Sequence, residues 1–153
     1  MIQRMTARAL LLVAACACSI FEPNGRERDL REVDRHRDQW QAQQIHSYAF
    51  EYSRACFCPP DLTNRVRIDV RGDTIFRVTN AQTGADVTHL QYARWPTVDS
   101  LFAGARRTIS SGDWKYEIEY DPTLGYVRRL SGDIPHAVDD EFVETVHSFM
   151  RNP

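Results

Sequence analysis

The sequence predicts an α+β domain, an antiparallel sheet of about six strands with two helices packed on one face. Three observations carry that expectation. Runs in which apolar residues alternate with polar ones recur along the chain, two stretches carry helical spacing instead, and short turn sequences join the runs. At 153 residues and 42% hydrophobic, the chain can fill one core but not two, so a single domain over residues 28–150 is expected.

The first helix is expected from Arg26 to Ile45. This stretch is dense in charge and glutamine, and Leu30, Val33, Arg37, Trp40 and Gln44 recur at spacings of three or four, a thin apolar stripe with Trp40 as its core anchor. The period then becomes two. Tyr48, Phe50 and Tyr52 alternate with Ala49, Glu51 and Ser53, as a half-buried strand requires. Val66, Ile68 and Val70 form a second strand, Gly72-Asp73 a turn, and Ile75, Phe76 and Val78 the return strand of a hairpin.

The segment from Gln82 to Pro96 is irregular, with Gly84 and Pro96 as punctuation. Thr97 then supplies a capping residue and Asp99 a first-turn acid, and Val98, Leu101, Phe102 and Ala105 fall at helical spacing. These predict a helix over 98–109, closed by Ser110 to Gly112. Tyr116, Ile118 and Tyr120 restore the alternation, DPTLG turns the chain, and Tyr126 to Leu130 return. Over 141–150 the spacing is ambiguous: Phe142, Val146 and Phe149 suit a helix, whereas Val143, Thr145, His147 and Phe149 suit a strand. SYAFEY in the first half is echoed by KYEIEY in the second, which suggests a tandem helix-plus-strands repeat of about 65 residues.

The N-terminus reads as an address. Arg4 and Arg8 precede the apolar run Ala9 to Ala15, and small residues around a cysteine follow, the layout of an export signal over residues 1–15. The run falls well short of the roughly 20 residues of a membrane-spanning helix. Val13-Ala14-Ala15-Cys16 resembles the bacterial lipobox, which implies cleavage before Cys16 and lipidation there. Cleavage before Cys18, giving a soluble secreted protein, is the alternative. Residues 16–27 would then be a lipidated cysteine and a short tether, with Pro23, Asn24 and Gly25 in it. Removing Arg4 and Arg8 from the 19 basic residues leaves 17 against 21 acidic ones, a charge of −4 that argues against a nucleic-acid partner.

Trp40, IHSYAFEYSRACFC, VRIDVRGDTIFRV, TVDSLF, YDPTLGY and DDEF, in that order over residues 36 to 149, resemble a family of small bacterial envelope lipoproteins whose domain has no assigned function. The resemblance implies a secreted or lipid-anchored domain with an antiparallel sheet and a terminal strand rather than a helix. It supplies no catalytic residue, so none is carried over to Cys56, Cys58 or Asp99.

Export allows disulfides, and with Cys16 lipidated three cysteines remain: Cys18, Cys56 and Cys58. A bridge between Cys56 and Cys58 requires the chain to bend, which Pro59 and Pro60 encourage. Three other fates stay open. A redox pair is disfavoured because the spacing is not C-x-x-C and prolines replace a helix N-terminus; a soft-metal site needs two further ligands; and Cys18 is a possible partner. The histidines His36, His46, His89, His136 and His147 show no metal-binding spacing, and Asp133, His136, Asp139, Asp140 and Glu141 lack the order of a calcium loop. No serine stands in a G-x-S-x-G elbow. The aromatic strands predict core packing, with a binding face instead if half of the rings are exposed. The expectation is a membrane-anchored envelope lipoprotein without enzyme activity, cofactor or metal, binding an envelope protein or component; the alternative is thiol redox or soft-metal handling by Cys56 and Cys58.

Overall fold

A computed structural model describes residues 24–151. The expected signal peptide, the lipidated Cys16, Cys18 and most of the tether therefore lie outside the described residues.

The first helix, α1, spans Gly25–Gln41, and the Asn24 side chain accepts the Glu27 N–H at 2.9 Å to cap it. The helix thus starts one residue before its expected beginning at Arg26, and Gly25, Arg26 and Glu27, where the expected tether ends, are its first turn. It also stops four residues before Ile45, because the Gln43 and Gln44 N–H groups bond back to Trp40 and Gln41 and Gln44 turns to φ 53°. Six strands follow in two groups around the second helix: β1 (Tyr48–Cys56), β2 (Val66–Arg71), β3 (Thr74–Asn80), α2 (Val98–Ser111), β4 (Lys115–Tyr120), β5 (Val127–Asp133) and β6 (Phe142–Arg151). Short 3-10 turns occupy Pro60–Leu62 and His89–Arg94, the latter inside the segment expected to be irregular.

All strand pairs are antiparallel, in the order β3-β2-β1-β6-β5-β4. The chain's last strand therefore sits at the centre beside its first. The order helix, strand, strand, strand occurs twice, with SYAFEY at β1 and KYEIEY at β4, but the two strands are placed differently: β1 is central and β4 an edge, three strands away and so oppositely directed. The β2–β3 hairpin closes through Gly72 and Asp73, both with positive φ (54° and 62°), the two-residue turn whose twist suits adjoining strands.

Both helices cover the same face. Tyr48, Phe50, Tyr52, Val66, Ile68, Val70, Val78 and Leu130 from the sheet are buried against Val33 and Trp40 of α1 and Leu101, Phe102, Ala105 and Ile109 of α2. Trp40 meets Tyr48 and Phe149 edge-on, with ring centroids 5.4 and 5.5 Å away. The Tyr48 hydroxyl accepts the Val98 N–H at 3.1 Å, which satisfies a donor that the start of α2 would otherwise leave buried and unpaired. Thr97 and Ser100 cap α2 reciprocally, and the helix runs two residues past the expected end to Gly112 at φ 79°.

Three β-bulges interrupt the sheet. Across from Asp69-Val70 the extra residue is Phe76; across from Glu119-Tyr120 it is Arg128; across from Glu51-Tyr52 it is His147. The last one explains the ambiguous tail. Phe142, Glu144 and Val146 face the helices at a spacing of two, and the extra His147 makes the next inward residue Phe149, three further on. That single three-residue step is what lends the strand its helix-like spacing. No helix of the described residues is long and apolar enough to cross a membrane.

Candidate cleft in the sheet

On one flank β6 pairs with β1 along its whole length, from Phe142 opposite Cys56 to Arg151 opposite Tyr48. On the other flank only Phe142 to Thr145 pair with β5, opposite Gly132 to Arg129. From Val146 to Arg151 that flank has no strand partner among the described residues, and the backbone groups pointing that way remain available. Beside it opens a cleft of about 720 Å³.

The cleft's apolar part is Leu124, Val146, Tyr126 and Phe149, the two rings stacked at 5.0 Å between centroids and 24° between planes. Burial first, then the Asp121 carboxylate, pushes the Tyr126 phenol up to about 12, so it stays a neutral donor. Glu119, Arg128 and Arg129 line one side, and Thr145, His147, Ser148 and Arg151 the other. The two bulges put Arg128 and His147 there, each an extra residue turned out of the regular alternation. The DPTLG turn closes one end. Asp121 accepts the N–H groups of Thr123 and Leu124 at 3.0 and 2.7 Å, and Gly125, at φ 84°, lies so close to the His36 carbonyl that a Cβ would come within 2.8 Å.

The charges favour an anionic group. Glu119 holds Arg128 and, at 3.8 Å, Arg129, whereas Arg151 donates to the neutral Gln43 Oε1 at 2.9 Å and meets no carboxylate among the described residues. The His147 imidazole is held below its ordinary value by burial and then by Arg65, with Glu51 opposing. Its Nε2 lies 2.8 Å from Ser53 Oγ, a pairing that no local pattern signals, the residues being 94 apart. Among the described residues no carboxylate is hydrogen-bonded to the other ring nitrogen, and Ser53 is mid-strand, so this contact lacks the third group that orients a serine nucleophile's base.

A second polar cluster lies under α2. Glu144 Oε1 accepts from Tyr52 Oη at 2.9 Å and from Arg54 Nε and a terminal nitrogen at 3.0 and 2.6 Å. The Glu144 side chain is only 13% exposed, so these donors are what offset its desolvation.

Cys56 and Cys58 form a close pair with Cα atoms 5.3 Å apart, inside the bridging range. Cys56 ends β1, and the Cys58 N–H returns to the Cys56 carbonyl at 2.8 Å, which is the bend the spacing required. Only a 3-10 turn follows, beginning at Pro60. Among the described residues, the group of three or more metal-ligating side chains is Asp133, Asp140 and Glu141, and it contains neither cysteine, nor His136 or Asp139. Asp140 is partly spoken for, accepting the Ile134 N–H at 2.6 Å. Of the aromatic residues on the strands or next to them, Tyr48, Tyr52 and Tyr126 are buried and Trp114, Tyr116 and Tyr120 half-buried, so these six rings belong to the core, while Phe76 on β3 is exposed.

Fold and cleft together define a two-layer α+β domain with a gap in the middle of its sheet. Residues 32–151 match a family described as a family of unknown function (DUF6174), and the chain belongs to it. No curated protein matches the chain.

Proposed function

We propose that this is an exported, lipid-anchored protein of the cell envelope whose domain is noncatalytic and binds an extended polypeptide segment in the β5–β6 cleft. One observation carries the choice of ligand: β6 continues six residues past its last β5 partner, leaving a strand edge beside a cleft of about 720 Å³. Main-chain hydrogen bonds along Val146–Arg151 would supply affinity, and the Tyr126 and Phe149 rings a contact for an apolar side chain. Arg151 suits a carboxylate on the incoming segment. Export and the acyl chains on Cys16 rest on the N-terminal pattern and the lipobox resemblance. In that setting Cys56 and Cys58 are oxidised and brace the end of β1.

Panning a random peptide library against the purified protein tests the ligand class. Peptides that bind wild type and lose binding to Ser148→Trp, which fills the cleft, support it; peptides that bind both equally contradict it. Thiol handling by Cys56 and Cys58 is the second reading, favoured by their proximity. It predicts that the pair exchanges with a glutathione buffer and that reduction changes activity toward thiol or soft-metal substrates. Peptide binding unchanged by Cys56→Ser with Cys58→Ser favours the first reading.

A further inference from the structure

We infer that the end of the domain where α1 begins rests on the lipid bilayer, with Phe57 and Val138 entering the interface; this deepens the proposed anchoring at Cys16 and rests on it. The two side chains are the most exposed large apolar groups of the described residues, at 82% and 84%. A bared phenylalanine at a loop tip is where an aromatic ring gains by leaving water for the headgroup boundary. Phe57 is held outward between paired cysteines, with Pro59 and Pro60 after it. Val138 belongs to the loop that leads into β6, and β6 begins at Phe142, opposite Cys56. Both tips therefore project from one end of the sheet.

The chain enters the domain at that same end. The helix α1 runs in the same direction as β4: Tyr116 donates to Asp29 at 2.7 Å near its start, and Tyr120 stacks on His36 at 3.8 Å further along. The start of α1 thus lies beyond Tyr116, near Gly112, where an added Cβ would collide with the Arg26 guanidinium. Trp114, two residues on, packs edge-on against Phe142 at 5.2 Å, and Phe142 faces Cys56. Asn24 follows Cys16 by eight residue steps. Fully extended they span at most about 28 Å, so an acylated Cys16 ties the start of α1, and with it this end, close to the bilayer. Such a tether makes even shallow insertion of two side chains effective, because it holds them at high local concentration. Asp133, Asp139, Asp140 and Glu141 beside Val138 outnumber Arg26 and Lys115 at the same end, which suits contact with zwitterionic lipid, not strengthened by anionic lipid.

The test uses the full chain, purified from a bacterial host in detergent and reconstituted into phosphatidylcholine vesicles, with and without brominated acyl chains. Phe57→Trp and Val138→Trp should gain a blue-shifted emission that brominated lipid quenches, while Phe76→Trp, exposed but on β3, should not. Hydrogen exchange on the unmodified chain gives a second readout, with residues 56–58 and 135–139 expected to slow on vesicles. Mass spectrometry of the same preparation separates the two claims. Acylated Cys16 with no quenching and no slowing overturns the membrane-facing end alone; an unmodified Cys16 overturns the anchoring as well.

Discussion

The two flanks of β6 differ although they are built from the same residues. Toward β1 the strand is paired at nine positions, from Tyr48 to Cys56, and carries Phe149 and Val146 into the core. Toward β5 it is paired at four, and then a cleft opens. The bulge at His147 serves both flanks: it turns Phe149 inward for the first and a polar side chain outward for the second. One strand thus divides into a flank that holds the fold together and a flank left unpaired beside the cleft.

Substitutions can separate these roles. On the closed flank, Phe50→Ala empties a fully buried site opposite Ile68 and Phe149 and should cost about 3–5 kcal/mol in urea unfolding. Glu144→Gln removes the charge that Arg54 and Tyr52 share and should cost about 2 kcal/mol, since the Arg54 side chain keeps some contact with water. Smaller still is the pH response. Burial holds His36 and His147 below the ordinary imidazole value of 6.5. As pH falls below 6.5 the unfolded chain takes up protons that the folded one refuses, so stability should decline from there until the folded imidazoles protonate in turn. His36→Asn should flatten that decline, as urea midpoints at several pH values would show. Least of all, Ser148→Trp on the open flank should shift stability by no more than about 0.5 kcal/mol while abolishing peptide binding. Unfolding by Ser148→Trp on the scale of Phe50→Ala would erase the distinction between the flanks.

Much of the fold is legible in the chain because most strands bury one face only. Tyr48-Phe50-Tyr52 and Val66-Ile68-Val70 alternate without interruption, and Gly72-Asp73 marks its own turn. β6 is legible only in part, since its bulge breaks the alternation and periodicity cannot tell a bulged strand from a short helix. The cleft leaves no local trace. It depends on the last strand pairing with the first and on where β5 stops following it, and no spacing along residues 119–129 or 145–151 encodes that. The Glu144 cluster is hidden for the same reason, because its partners Tyr52 and Arg54 lie about ninety residues earlier. The bend that brings Cys56 and Cys58 together, by contrast, is readable from the two prolines that follow them.

The open flank is tested most directly by amide hydrogen exchange across β6, with and without a peptide selected on the wild-type protein. In the free protein, amides of 146–151 that point away from β1 should exchange quickly while those bonded to β1 stay protected, and the peptide should slow the fast set. Uniform protection along β6 in the free protein, or a bound peptide that leaves the fast set unchanged, would contradict the cleft as a binding edge.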